Sequence, residues 1–513
     1  MHVTEPDDTP LDSLIDSLDA PALERVRALI AGAPPARGIA AKRIDDAIAD
    51  DRRIDAEVDR VASDAARAQE TFEKWTDERL DALLADLAET FAESAQDLAV
   101  ATVRETGLGN AADKTMKNRF ASLGVYESLV GGATTDSTTT GSAASRRGVT
   151  ELASPVGVVF GIVPVTNPVA TAIFKTLIAL RARNALILSV HRDAYAVGQL
   201  TGAIVRDVLE AHGAPRHLVQ VLGIRGSRKA TGKMMRHPLV SLVLATGGAG
   251  LVKAAYSSGK PAIGVGPGNA PAWICADADL DRAAAAIVAS KTFDNGLICG
   301  AEHSLVVDDR VAGAFAHALE RHGATLLSAD ETRRFEAAAI HPLLGTLRRN
   351  LVGRSADVIA SMLGIARPEP PRVLVVRAPA RDLQTFYGRE KLAPILSLFT
   401  VSGEDEGLRL SRRILEAGGA GHTAVVHTTN AARVDRFARA MPAGRILVNS
   451  PAAHGCCGMT TGLEPSMTLG CGTFGGNSTT DNITWRHLQN VKRVAHYLES
   501  EAERTKTTCV VRA

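Results

Sequence analysis

The chain has 513 residues, 45% of them hydrophobic, with 58 Lys plus Arg against 57 Asp plus Glu. That length supports two or three domains with a large buried core and excludes a small peptide module. Near-zero net charge leaves no broad basic footprint for nucleic acid or an anionic membrane.

The acidic start, Met1-His2-Val3-Thr4-Glu5-Pro6-Asp7-Asp8, does not read as a secretory signal. Leu11, Leu14, Ile15 and Leu18 form one apolar stripe at helical spacing, and Leu23, Val26, Leu29 and Ile30 continue it past Pro21. Residues 1–30 are expected to be an amphipathic helical extension. Residues 31–41, with Ala31-Gly32-Ala33-Pro34-Pro35-Ala36-Arg37-Gly38, are expected to be a flexible linker. From Ile44 to Glu105 the texture is helical, and Gly131 to Ser145 reads as an exposed flap. Strands are expected at Val156–Val163, Ala185–Val190, Leu218–Leu222, Leu239–Ala245 and Ala262–Val265, with helices such as Ala170–Leu180 and Tyr195–His212 between them. The longest apolar run among these, Val156 to Val165, is too short and too broken by Gly and Pro to span a bilayer. A second alternating region carries strands near Ser304–Val307, Val373–Val376, Leu396–Phe399, Ala424–His427 and Ile446–Val448. Such alternation predicts an α/β protein with parallel sheets. Six Cys are too sparse for a disulfide framework, so a cytoplasmic protein with reduced thiols is expected.

Few motifs are decisive alone. Gly470-Cys471-Gly472-Thr473-Phe474-Gly475 fits G-x-G-x-x-G but lacks the preceding strand and following helix of a dinucleotide site. Thr246-Gly247-Gly248-Ala249-Gly250 is better placed, between an expected strand and helix, and reads equally as a phosphate-binding turn or an ordinary βα turn. Cys299, in Asn295-Gly296-Leu297-Ile298-Cys299-Gly300, is a nucleophile if its thiolate is stabilised, although burial as a structural residue is the commoner fate of such a cysteine. His454, Cys456 and Cys457 lack a second ligand pair, so a packed loop and no metal is expected.

Taken together, Pro164-Val165-Thr166-Asn167-Pro168, Ala245-Thr246-Gly247-Gly248, Lys260-Pro261-Ala262-Ile263-Gly264-Val265-Gly266 and Asn295-Gly296-Leu297-Ile298-Cys299 resemble the aldehyde dehydrogenase superfamily, and its CoA-acylating branch in particular. The likeness runs in order from about residue 50 to about residue 500. It implies a Rossmann-like cofactor domain over residues 42–285 with a flap near 131–150. It further implies an α/β catalytic domain over 286–480 and an oligomerisation segment over 481–513. The chain ends where the iron-dependent alcohol dehydrogenase half of bifunctional relatives would begin, so a monofunctional enzyme is expected.

The resemblance also assigns roles. Cys299 is the expected nucleophile, and the Asn167 amide with the Cys299 backbone N–H is the expected oxyanion hole. His422 would assist thiol deprotonation or CoA positioning. Thr166, His191, Thr246, Gly247, Gly248, Gly264 and Glu390 would bind NAD, and Arg192 leaves NADP open. Hydrolytic members carry a glutamate in a Glu-Leu-Gly-Gly-like segment. Here Gly264-Val265-Gly266-Pro267-Gly268-Asn269 has no carboxylate, so CoA rather than water is the expected acceptor. The expected activity is oxidation of a short-chain aldehyde to acyl-CoA by a homodimer or tetramer. Residues 1–30 are a candidate segment for docking on microcompartment shell proteins, which would place the enzyme in that lumen. The alternatives are a hydrolytic aldehyde dehydrogenase and a non-catalytic shell cargo adaptor.

Overall fold

The computed structural model describes residues 18–30, 36–130, 149–379 and 383–497. Leu11, Leu14 and Ile15 lie outside them. Helix Ala20–Ile30 packs on the long helix Ala36–Phe72 through a small cluster of Ala20, Leu23, Ile44 and Ile48. Buried Asp51 fixes that contact by accepting from the Ala20 N–H (2.8 Å) and pairing with Lys233 (2.9 Å). The linker expected over 31–41 is therefore helical from Ala36 onward. Pro34-Pro35 suits the approach to a helix as well as it suits a linker.

Helix Asp77–Glu93 buries Leu80, Leu83, Leu84, Leu87 and Phe91, a single helical stripe, in the core cluster of the first sheet. Strand β1 (Val149–Pro155) leads into the five strands of that sheet. These are β2 (Val158–Ile162), β3 (Ala185–Ser189), β4 (Val219–Val221), β5 (Val240–Thr246) and β6 (Ala262–Val265), in the order β4-β3-β2-β5-β6. All pairs are parallel. Every residue of β2 and β3 is buried, which is why they read as continuous apolar runs without alternation. The order reverses between β2 and β5, and the carboxyl ends of those two strands form the crevice where doubly wound sheets take ligands.

The second sheet contains β7 (Ala270–Ile274), β8 (Glu302–Asp308), β9 (Ala324–Leu326), β10 (Val373–Arg377), β11 (Ile395–Val401), β12 (Gly421–His427) and β13 (Ala443–Val448). Its order is β13-β12-β7-β8-β11-β10-β9, again parallel throughout. Because β7 belongs to this sheet, the second layer begins before residue 286, where the catalytic domain was expected to start. Pro271 hides β7 in the sequence. A proline removes a ladder donor, and the register of β7 against β8 shifts beside it. Finally, β14 (Gln489–Ala495) crosses back to pair antiparallel with β1.

Candidate active site

Four neighbouring strands of the second sheet, β12, β7, β8 and β11, present their amino ends together, and the candidate catalytic residues sit there. Helix Leu280–Thr292 ends in a turn where Asp294, Asn295 and Gly296 all have positive φ (47°, 55° and 74°). That left-handed run is rare for side chains other than glycine and turns the chain sharply into Cys299, just ahead of β8. His422, the second residue of β12, places Nε2 3.1 Å from Cys299 Sγ. Its Nδ1 lies 2.9 Å from Thr423 Oγ1, which the buried Arg445 in turn contacts through Nε at 3.4 Å. Gly268, leading into β7, closes the site from the third side. A Cβ there would fall 1.8 Å from the Cys299 carbonyl oxygen and 3.3 Å from His422 Cγ.

Burial pushes the Cys299 thiol up, with smaller contributions from Cys457, Glu390 and Cys471. Burial, followed by the Arg445 charge, pushes His422 well below the usual imidazole value. The pair therefore rests as thiol and neutral imidazole. In the tautomer with Nδ1–H directed to Thr423, Nε2 is an acceptor for the thiol proton.

Asn167 stands between β2 and helix Pro168–Arg181, at the carboxyl end of the first sheet. Its Nδ2 donates to the Leu297 carbonyl (3.2 Å), two residues before Cys299, and to Thr166 Oγ1 (3.3 Å). The expected oxyanion amide thus reaches the nucleophile loop across the two sheets. Lys175, fully buried on that helix, donates to the carbonyls of Ile162 (2.6 Å) and Leu244 (2.8 Å) and ties β2 to β5 at the point where the strand order reverses.

The expected cofactor residues divide. Thr246 ends β5, and Gly247 and Gly248 turn into the exposed helix Ala249–Tyr256, with open space where Cβ atoms would stand at Gly248 and Gly250. The start of that helix, close to the reversal, offers backbone N–H groups that fit a pyrophosphate. His191 follows β3, half-exposed, with Nδ1 accepting from the Asp193 N–H (3.2 Å). Arg192 beside it is exposed, 3.5 Å from Asp193. Gly264 is engaged in packing: its N–H donates to the Tyr256 hydroxyl (3.0 Å), and a Cβ would meet the Tyr256 ring at 2.9 Å. Glu390 lies before β11, its carboxylate accepting from the Gly268 N–H, and burial raises it to about 7 against the opposing pull of Lys291.

Glu302, three residues past the nucleophile, is turned away from it. It accepts from Ser290 Oγ (2.5 Å) and the Ala452 N–H (2.9 Å), a structural bridge between two helices. Cys456 and Cys457 are buried with their sulfurs 3.7 Å apart, and Cys456 Sγ lies 2.3 Å from where a Cβ on Gly300 would stand. His454 packs against Phe293 with ring centroids 4.4 Å apart and the planes tilted by 42°. Among the described residues, no group of three or more His, Cys, Asp or Glu is arranged to hold a metal ion. The glycine-rich 470–475 loop buttresses β12: a Cβ on Gly421 would strike the Cys471 carbonyl at 1.7 Å, and one on Gly475 the Ala420 carbonyl at 2.5 Å.

Sequence reasoning missed Lys114, Lys117, Asp294, Lys175, Lys291 and Arg445. Lysines three residues apart in a polar helix look solvated, and nothing local marks them as buried.

A doubly wound parallel layer here faces a cysteine–histidine pair at the amino ends of a second parallel layer. The chain belongs to the aldehyde dehydrogenase family, which it matches over residues 46–345. It is 38% identical over 452 residues to the bifunctional aldehyde-alcohol dehydrogenase AdhE of Escherichia coli (strain K12), covering 87% of this chain and 50% of that protein. The chain thus spans about half the length of that relative. Among solved structures it is similar to an acetylating aldehyde dehydrogenase from Geobacillus thermoglucosidasius (39% identity, TM-score 0.84, covering 87% of this chain and 98% of that one). It is also similar to a Rhodopseudomonas palustris propionaldehyde dehydrogenase with bound CoA and an acylated cysteine (26% identity, TM-score 0.77, covering 86% and 97%).

Proposed function

We propose that the chain is a CoA-acylating aldehyde dehydrogenase that converts a short-chain aldehyde, NAD+ and CoA to acyl-CoA, NADH and a proton. The observation that carries this reading is the surface facing Cys299. The segment 264–269 supplies glycine and backbone there, Gly268 leaves no room for a side chain, and the base in contact with the nucleophile is His422. Without a carboxylate on that segment to activate water, an ionisable thiol is the better acceptor.

In this mechanism His422 Nε2 takes the Cys299 proton as the sulfur adds to the aldehyde carbon. Asn167 Nδ2 and the Cys299 N–H hold the resulting oxyanion. Thr246, Gly247 and Gly248, at the carboxyl end of β5, would hold NAD+, which would supply the hydride acceptor for collapse of that oxyanion to a Cys299 thioester. After His422 has passed that first proton to solvent, the proton released overall, it accepts the proton of the incoming CoA thiol and returns it to Cys299, which leaves as thiolate when the acyl group moves to CoA. The acylated cysteine and bound CoA of the Rhodopseudomonas palustris relative support this order of events.

The proposal extends to a homodimer or tetramer built on the β1–β14 ribbon, which leaves Val491 and Val494 exposed. It also extends to docking of the segment before residue 18 on a microcompartment shell, supported by the apolar stripe of Leu11, Leu14 and Ile15. Deleting residues 1–17 should keep activity and abolish co-purification with shells; unchanged encapsulation refutes the docking.

The test of function follows NADH and acyl-CoA together across a panel of short aldehydes, with and without CoA. NADH formation that needs CoA and equals thioester yield is expected. Sustained NADH formation without CoA, with free acid as product, would establish the hydrolytic alternative.

A further inference from the structure

We propose that Lys117 is a positioning residue for the oxyanion hole: its ammonium group fixes which end of the Asn167 amide faces the reacting carbonyl, and polarises that amide. The inference rests on the acylating reading above, in which Asn167 and Cys299 hold the oxyanion.

An asparagine amide is nearly symmetric in shape, so nothing in packing alone decides which of Oδ1 and Nδ2 points into a site. Only one orientation works. Nδ2 toward a developing oxyanion stabilises it, whereas Oδ1 there repels it. Lys117 Nζ contacts Asn167 Oδ1. A lysine ammonium has donors and no acceptor, so it can face only the carbonyl end of the amide. That leaves Nδ2 on the nucleophile side, where it meets the Leu297 carbonyl at 3.2 Å and Thr166 Oγ1 at 3.3 Å. The longer Thr166 contact is the one an oxyanion would replace. A cation on the carbonyl end also draws electron density from the amide, strengthening Nδ2–H as a donor.

Lys117 is held in place by the nucleophile's own loop. Its ammonium also pairs with Asp294, and both side chains are essentially buried (1% and 0% exposed). Asp294 further accepts from Lys114 Nζ (2.9 Å) and from the Asn110 N–H (2.9 Å). Lys114 donates in addition to the Thr166 carbonyl at 3.0 Å. Gly109, at φ 76°, leaves room for the carboxylate, since a Cβ there would overlap Asp294 Oδ1 at 1.9 Å. Two buried lysines on one carboxylate is a costly arrangement. Its geometry links residues 109–117, the Asn167 amide and the turn that delivers Cys299.

The test is a double-mutant cycle with Lys117→Met and Asn167→Ala, reading kcat, the KM values for NAD and CoA, and the rate of Cys299 alkylation by iodoacetamide, which forms no oxyanion. K117M is expected to lower kcat by ~10- to 100-fold, approaching the loss of an oxyanion donor, with KM values and alkylation within about three-fold of wild type. Lys117→Arg should recover most of the loss. In the N167A background K117M should cost less than about two-fold, because the amide it positions is gone. A kcat unchanged in K117M, or an equal loss with and without Asn167, overturns the proposal. If K117M does not fold, Lys117→Gln, which keeps an uncharged donor, enters the same cycle with the same criteria. Wild-type turnover that needs no CoA would refute the acylating reading and leave the Lys117 assignment standing, because acyl transfer to water and to CoA share the first oxyanion.

Discussion

His422 Nε2 lies 3.1 Å from Cys299 Sγ, across 123 residues of sequence and between the amino ends of β12 and β8, which flank β7 in the second sheet. The thiol is raised by burial, and the imidazole is lowered by burial and by Arg445, so neither is charged at rest. Alkylation of Cys299 by iodoacetamide should therefore keep rising from pH 6 to 9 instead of levelling near the ordinary imidazole value. His422→Ala should lower kcat by ~10²- to 10⁴-fold, and Cys299→Ala should abolish turnover. A plateau in alkylation below pH 7 would indicate a resting thiolate–imidazolium pair.

Glu390 is raised by burial to about 7 and receives the Gly268 N–H. As the pH falls through that value the carboxylate gains a proton and loses acceptor capacity toward the NAD that the resemblance places there. The expected outcome is a kcat/KM for NAD that declines below pH 7 in wild type. In Glu390→Gln it should be lower throughout and free of that inflection. Initial rates at subsaturating NAD across pH 5.5–8.5 decide it.

Gly268 has no space for a side chain, and the atoms a Cβ would strike are the Cys299 carbonyl oxygen and the His422 ring. Backbone cannot yield as a flexible side chain can. Gly268→Ala should cost at least ~10²-fold in kcat by displacing the nucleophile, the scale expected for a small misplacement of reacting groups. Tm should remain within a few degrees. Activity close to wild type would mean that the strand entry relaxes freely.

Glu302 supports the site structurally. Replacing it with Leu strands the Ser290 hydroxyl and the Ala452 N–H and should cost about 3 kcal/mol of stability. Glu302→Gln, which can still accept, should keep activity within about five-fold. Burial raises the carboxyl from 4.5 to about 7, so the folded state binds its proton more tightly than the unfolded chain. Its contribution to stability is then fully present below about pH 4.5 and is lost as the pH rises through 7. Denaturant midpoints measured from pH 5 to 8 should fall less in E302Q than in wild type. A large drop in kcat for E302Q would instead place Glu302 in the chemistry.

Much of the architecture was legible in the chain. Buried parallel strands are continuous apolar runs, and β2, β3, β5, β6, β8, β10 and β11 lie within a few residues of where those runs occur. The resemblance pointed to Cys299, Asn167 and His422 as candidates because their loops retain recognisable neighbours, and the fold brings Cys299 to His422 and the Asn167 amide to the loop ahead of Cys299. Strand β7 was hidden by Pro271, and the first turns of helix Ala36–Phe72, ahead of Ile44, by the Ala/Gly/Pro composition there. Gly264, expected at the cofactor, is engaged by Tyr256.

Sequence by itself determined the α/β class, the position of the candidate cysteine and the absence of a carboxylate between Gly264 and Asn269. Each of those is carried by the identity or periodicity of residues that are adjacent in the chain. Only the tertiary structure decided that His422 touches Cys299, that Glu302 is a brace, and that Lys117 reaches Asn167 and Asp294. Those relationships join residues far apart in sequence. The charge state and direction of a buried side chain depend on what the fold places opposite it, and no local pattern records that.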